Sequence, residues 1–281
     1  MIDNQKVENI GCSTVFSWDP KDFDQLLKSC DVDDEVTITL KYLPAKNLKI
    51  LEAGCGIGRV SKYLDNKGFN NLESIEINPA PVAWLNKTFP ALKVVQGDLL
   101  NMPYPENSFD VVLSYGVVEH FPQGPDQAMA AMFKILKPGG TLIITVPSFN
   151  IVRRISYWLK KIDPRLWGWL RALCGKKKLV ANGKQLGYYI DPQHGNFFEY
   201  RFTKRQFDRV CTRAGFKIIE SNPIAHVDGL LHCFGAPLVT FKNWEFKMSK
   251  LGVCLNWLFT KIPFFHNHMQ ACVLKKPEVS S

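Results

Sequence analysis

The eight cysteines contain no Cys-x-x-Cys pair, which excludes the common zinc and thioredoxin-type signatures. No apolar run approaches the roughly 18 residues that a membrane span needs. A long uncharged stretch in the C-terminal part, GLLHCFGAPLVTF, covers only 229–241. The start, MIDNQKVENI, lacks the basic-then-apolar order of a signal peptide. Scattered thiols without such a leader predict reduced, mostly buried cysteines and a cytoplasmic protein. There is no internal repeat and no low-complexity run. Acid is nearly missing from one segment. Residues 151–180 set Arg153, Arg154, Lys160, Lys161, Arg165, Arg171, Lys176, Lys177 and Lys178 against Asp163 alone. Almost all of the net charge of +9 therefore belongs to that segment and not to the whole surface.

What is present suits one large domain, or a core with insertions: 281 residues, 46% of them apolar. LKILEA (48–53) is a short apolar run ending at glycine and reads as a buried strand. Residues 59–67 follow with helical spacing and stop at Gly68, a C′ glycine. LESIEI (72–77), ALKVVQ, FDVVLS and TLIITV (141–146) are further strands, with KPGG a turn before the last. Pro79 and Pro81 open one intervening helix, and DQAMAAMFKIL (126–136) is another. This alternation predicts a doubly wound parallel sheet with helices on both faces. After a basic, aromatic interruption over 148–200, FTKRQFDRVCTRAGF (202–216) is a helix and FKIIES a strand. A second interruption, rich in Phe and Trp, spans 222–268, and QACVLKK (270–276) is a closing strand.

Within LEAGCGIGRV (51–60), Gly54, Gly56 and Gly58 stand at every second position between strand and helix. Such a turn lets backbone approach a ligand at the carboxyl end of the sheet. Glu76 ends the second strand, where an acid accepts from ribose hydroxyls. Asp98, in QGDLL after the third strand, is placed to accept from an adenine amino group, and Ser114 ends the fourth strand on the same crevice. A dehydrogenase needs Gly-x-Gly-x-x-Gly. Here the third glycine comes one residue early, at Gly58, and Arg59 holds the required place.

ILEAGCGIGRV, SIEINP, VVQGDLLNMPYPENSFDVVLS and ILKPGGTLIITVPS together resemble the core of class I S-adenosylmethionine-dependent methyltransferases. FTKRQFDRVCTRAGFKII resembles that family's late helix and strand, so the likeness covers about 40–150 plus 200–221. It implies an α/β, doubly wound, seven-stranded, mostly parallel sheet of order 3-2-1-4-5-7-6. The last strand is antiparallel, and helical insertions follow strand 5 and lie between strands 6 and 7. One methyltransferase domain would span 1–281. Its cofactor core would be 40–150 and 200–221 with 269–276, its basic aromatic insertion 151–199, and its second insertion or lid 222–268. The resemblance also implies that Glu52, Gly54, Gly56 and Gly58 surround the methionine part and ribose. Glu76 would take the ribose hydroxyls, and Asp98 with Leu99 the adenine.

Methyl transfer from a sulfonium is an in-line displacement, so the protein chiefly positions a nucleophile. A hydroxyl acceptor also needs a base. His120, six residues past Ser114, is the first candidate, set against a structural or substrate-orienting role. Glu119 would orient His120 or contact the cofactor. His194 and Tyr188, in GYYIDPQHGNFFEYR, come second, set against a plain loop role. SYGVVEHF lacks the Asn-Pro-Pro-aromatic signature of adenine N-methylation, a Pro-Cys nucleophile and a paired-glutamate loop. These absences favour a small-molecule acceptor. The expected reaction is O-methylation of a small, hydrophobic or aromatic acceptor, with a carbon or nitrogen centre as the open alternative. An RNA-directed methyltransferase and a non-catalytic, cofactor-binding membrane adaptor stand as alternatives.

In the basic insertion, Ile151, Val152, Ile155, Trp158, Leu159 and Ile162 share one helical face. Basic residues beside an apolar stripe with tryptophan suit an interfacial helix. Residues 151–180 are thus read as an anionic-membrane contact, with a lid packed on the core and an RNA grip as competing readings. LGVCLNWLFTKIPFF (251–265) adds to the membrane reading. The sequence resembles ubiquinone-biosynthesis-type O-methyltransferases in carrying an insertion after the fifth strand, where such insertions contact membrane. The protein is expected to be cytoplasmic and peripheral to membrane. Phe16 and Trp18 are read as core packing or as an N-terminal cover over the cofactor.

Overall fold

The computed structural model describes residues 7–10, 13–16, 19–162, 181–182, 187–190, 197–242 and 244–278. His194, Trp18, the side chain of Phe16 and the basic residues of 163–180 lie outside what is described.

Seven strands form the central sheet: β1 (Ile50–Ala53), β2 (Leu72–Glu76), β3 (Lys93–Gln96), β4 (Phe109–Tyr115), β5 (Leu136–Pro147), β6 (Lys217–Ile224) and β7 (Met269–Lys275). Their order is 3-2-1-4-5-7-6, as the resemblance implied. β1 pairs in parallel with β2 and β4, β2 with β3, and β4 with β5. β7 runs the other way. Gly139, early in β5, donates to the Lys276 carbonyl beyond the end of β7, while Ser148, just past β5, donates to His268, just before β7. Strand 1 is buried at every position, as a central parallel strand with helices on both faces must be.

One expectation changes. KPGG is not a turn ahead of the fifth strand; it lies inside β5. Phe109 pairs with Leu136 and Val111 with Thr141, so Lys137–Gly140 bulge out of register and the strand resumes. The helix after β1, Arg59–Asn66, buries Val60, Ser61, Tyr63 and Leu64. It ends in a Schellman turn: Phe69 N–H donates to Leu64 and Gly68 N–H to Asp65. The next helix, Pro79–Thr88, is capped by the Asn78 side chain at Ala80 N–H, with proline in its first turn.

The chain divides into two compact units. The first, 1–145 with 208–221 and 271–281, carries the sheet. One core there gathers Val36, Leu43, Ile50, Val60, Leu64, Phe69, Val111 and Leu113. The second unit, 146–207 with 222–270, holds helices Ile151–Ile162, His226–Phe234 and Lys250–Phe259 and the hairpin Val239–Lys242/Glu245–Met248. Its apolar centre is Leu230, Leu238 and Val239, with Leu255 and Phe259 packed against them.

Candidate functional site

All three glycines of the turn are left-handed. Gly54, Gly56 and Gly58 have φ of 82°, 54° and 74°, the left-handed region that side chains disfavour. Part of that demand is internal to the fold. A Cβ on Gly54 would lie 2.6 Å from the Val117 side chain. The β1 loop therefore touches the β4 loop only because position 54 is bare.

Contacts between strand ends link the predicted residues. Gly56 N–H donates to Glu76 Oε2 at 2.8 Å, and Asn78 N–H donates to Glu76 Oε1 at 2.9 Å. Two amides hold the carboxylate, and a carboxylate has about four acceptor directions. The unused ones suit a vicinal diol. Gly97 N–H reaches the Glu76 carbonyl at 3.0 Å, which brings Asp98 beside this point. Asp98 Oδ1 caps the short turn Leu99–Asn101 by accepting from Leu100 N–H at 2.9 Å, and Leu99 is buried. An acid next to an apolar wall suits the edge and face of a purine. These donors and acceptors, with the bare loop, fit an adenosyl nucleoside.

Glu52 is buried on β1, where its carboxylate accepts from the Ser61 hydroxyl, itself 2.6 Å from Ser74. Burial pushes its pKa up to about 7, against the lowering effect of Ser61 and Arg59. Ser114 does not open to solvent: it is fully buried, and its Oγ has no hydrogen-bond partner among the described residues. His120 sits on the turn Val118–His120 and is 9% exposed, with Nε2 3.9 Å from Glu119 Oε1. Tyr188 belongs to an aromatic cluster, 4.9 Å from Phe197 and 5.5 Å from Tyr200 ring to ring, which gives it a packing role.

Sequence reasoning missed a polar brace in the same unit. Arg59, the first residue of the helix after the loop, pairs with Asp33 and, at 3.2 Å, with Glu35. Glu35 also accepts from the Thr145 hydroxyl at 2.8 Å, and Thr39 hydrogen-bonds Tyr115. Helix Asp34–Lys41 is thus tied to the glycine loop and to the ends of β4 and β5. Burial raises the Glu35 pKa, partly offset by Arg59. Burial opposes the charge on Arg59, but Glu35 and Asp33 outweigh it and raise its pKa. The local sequence carried one signal, an arginine where a dehydrogenase keeps glycine. Arg59→Ala is expected to cost on the order of 2 kcal/mol by stranding a buried carboxylate, and adding Glu35→Gln should recover part of that loss. Chemical denaturation of both variants checks it; simple additivity of the two changes would contradict it.

In the second unit, Asp228, His232 and His268 offer ligand atoms within 4.8 Å of one another. Arg153, 9% exposed, donates to His268 Nδ1 at 2.8 Å and to the carbonyls of Ser148 and His268. Burial, His232, Arg153 and Arg201 drive the His268 pKa well below its ordinary value. The Arg153 guanidinium already takes His268 Nδ1, so the trio reads as a polar brace. It also removes Arg153 from the predicted membrane contact: that side chain points inward.

Residues 51–144 match the family model described as methyltransferase domain. Over 124 residues the chain is 35% identical to 2-methyl-6-phytyl-1,4-hydroquinone methyltransferase of Synechocystis, covering 42% of this chain and 38% of that one. Over 109 residues it is 32% identical to ajmaline N-methyltransferase of Rauvolfia serpentina, covering 35% and 36%. The chain thus spans less than half the length of these curated relatives. A solved S-adenosylmethionine-dependent methyltransferase from Methanosarcina mazei superposes with a TM-score of 0.55 at 15% identity, covering 86% of this chain and 98% of that one. It shares the fold.

Proposed function

With residues 51–144 a methyltransferase domain of the class I S-adenosylmethionine-dependent family, we propose that the protein transfers a methyl group from that cofactor to a small-molecule acceptor. The carrying observation is the linkage of Gly56, Glu76 and the Asp98 turn at neighbouring strand ends. When bound, the cofactor supplies a methyl group already activated on a sulfonium sulfur. Glu76, fixed by two amides, accepts from the ribose hydroxyls. Asp98 and Leu99 take the adenine edge and face. Glu52 meets the cationic methionine end, and Gly54, Gly56 and Gly58 keep the backbone clear.

The proposed acceptor is hydrophobic or aromatic and is methylated on oxygen. His120 then accepts the acceptor's hydroxyl proton at Nε2, and Glu119 steadies the imidazolium that forms. Relatives with acceptors as different as a phytyl hydroquinone and ajmaline support a small-molecule substrate class more strongly than a particular acceptor atom. The proposed partner surface is an anionic membrane, met in part through residues 151–180.

His120→Ala is expected to lower kcat about 10²- to 10³-fold with cofactor affinity unchanged. Unchanged kcat would contradict the base assignment. The reaction itself is tested with methyl-labelled cofactor and fractionated small-molecule and lipid extracts. Label in a small-molecule product supports the proposal. Tight cofactor binding with no label in any fraction would favour a cofactor-binding adaptor.

A further inference from the structure

Helix Lys250–Phe259 is apolar on both of its sides. Its inner side lies hard against the second unit: a Cβ on Gly252 would stand 2.2 Å from the Leu238 carbonyl oxygen, and Leu255 and Phe259 pack on the Leu230–Leu238–Val239 cluster. Its outer side carries Leu251, Val253, Trp257 and Leu258, all exposed, Leu251 at 59% and Trp257 at 63%. Ile262, just past its end, is exposed as well. A helix that is apolar all round belongs inside protein or lipid. At ten residues this one is about 15 Å long, roughly half the hydrocarbon thickness of a bilayer. It can lie along such a surface but not cross it.

Charge selects the surface. Residues 246–268 contain Lys247, Lys250 and Lys261 and no Asp or Glu. The Lys261 ammonium stands 5.2 Å from the centroid of the Trp257 ring, so a cation and an amphipathic indole share one edge of the face. The same unit repeats the pattern in helix Ile151–Ile162. The N–H groups of Ile151 and Val152 donate to the carbonyls of Phe264 and Phe265, which lie shortly after the first helix. Ile155, Trp158 and Ile162 are exposed there, beside exposed Arg154 and Lys160, and residues 148–162 hold no acid. A second copy of this chain would bring lysine rims against lysine rims, which like-charge repulsion opposes. An anionic lipid surface complements both the apolar face and its rim.

We propose that helix Lys250–Phe259 is an interfacial anchor. Leu251, Trp257 and Leu258 enter the acyl boundary of an anionic bilayer, and Lys250 and Lys261 lie at its phosphates. This deepens the surface-partner part of the proposed function and moves the principal contact away from residues 151–180.

The test is co-sedimentation of the full chain with vesicles of phosphatidylcholine alone and of phosphatidylcholine doped with phosphatidylglycerol. The wild-type chain is expected to bind the anionic vesicles and to leave them as salt rises. Leu251→Ser, Trp257→Ser and Leu258→Ser combined should reduce the partition coefficient about tenfold or more. Arg154→Gln with Lys160→Gln should reduce it less. All these side chains are exposed, and calorimetry with S-adenosylhomocysteine confirms that each variant keeps its fold and its cofactor site. That readout also separates the two readings: lost vesicle binding with intact cofactor binding concerns the anchor alone. Absent binding to anionic vesicles, equal binding to neutral ones, or an unchanged triple variant would overturn the proposal. So would a wild-type dimer in sedimentation that the triple substitution turns into a monomer.

Discussion

Glu52→Gln is expected to stabilise the cofactor-free protein at pH 8 and to leave it unchanged near pH 4. The sign follows from linkage. The Glu52 carboxyl is buried, and its pKa is raised from 4.5 to about 7 in the folded chain. Below 4.5 the folded and unfolded chains both carry the proton. Between 4.5 and 7 the unfolded chain has released it while the folded chain still holds it, so stability falls as pH rises. Above 7 the full cost is present, on the order of 3 kcal/mol for a shift of this size. Glutamine keeps an oxygen for the Ser61 hydroxyl and carries no charge. Thermal unfolding at the two pH values checks this, and an equal midpoint shift at both would contradict it.

The same residue should bind its ligand in the opposite sense. A cationic methionine end beside Glu52 favours the carboxylate, so cofactor binding near pH 7 should release part of a proton. Glu52→Gln should then weaken S-adenosylmethionine at least about tenfold, since a charged partner is lost in a site of low dielectric. Calorimetry in buffers of different ionisation enthalpy reads both effects. Stability and binding would thus trade against each other at one buried carboxyl.

Gly56→Val should abolish measurable cofactor binding. Its φ of 54° is left-handed, and a β-branched residue is a genuine outlier there. Relieving that strain rotates the peptide and withdraws the Gly56 N–H from Glu76 Oε2. The diol acceptor then loses one of its two anchors, and the loop moves into the space it had kept clear. Asp98→Ala acts at the other end, removing both the proposed adenine acceptor and the cap on Leu100 N–H. Each is expected to lower affinity by about 100-fold or more, the loss of two hydrogen bonds, one of them charge-assisted. Unchanged affinity by calorimetry in a folded variant would contradict the placement.

Much of this was legible in the chain because its signals are local. Short apolar runs, each ending at a glycine, an acid or a turn, mark parallel strands and point their ends at one edge. The Gly54–Gly58 spacing announces a turn where backbone can approach a ligand, and Gly68 the end of the helix that follows. What stayed hidden depends on partners far along the chain. Glu35 meets Thr145, and Arg59 meets Asp33 and Glu35, through contacts that no window of sequence contains. The Lys137–Gly140 bulge is set by the register of β5 on β4, not by the Pro-Gly-Gly turn signal. On helix Ile151–Ile162 a wheel separates two faces but does not say which one turns inward. Arg153 is buried, while Ile162 stands 78% exposed. That inversion follows from the carbonyls of Ser148 and His268, which need a donor between them.

A crystal structure with S-adenosylhomocysteine tests the central claim most directly. The ribose hydroxyls are expected on Glu76, the adenine against Asp98 and Leu99, and the amino-acid end over Gly54–Gly58 beside Glu52. A nucleoside bound away from these strand ends, or a well-folded crystal that takes up none at saturating concentration, would contradict it.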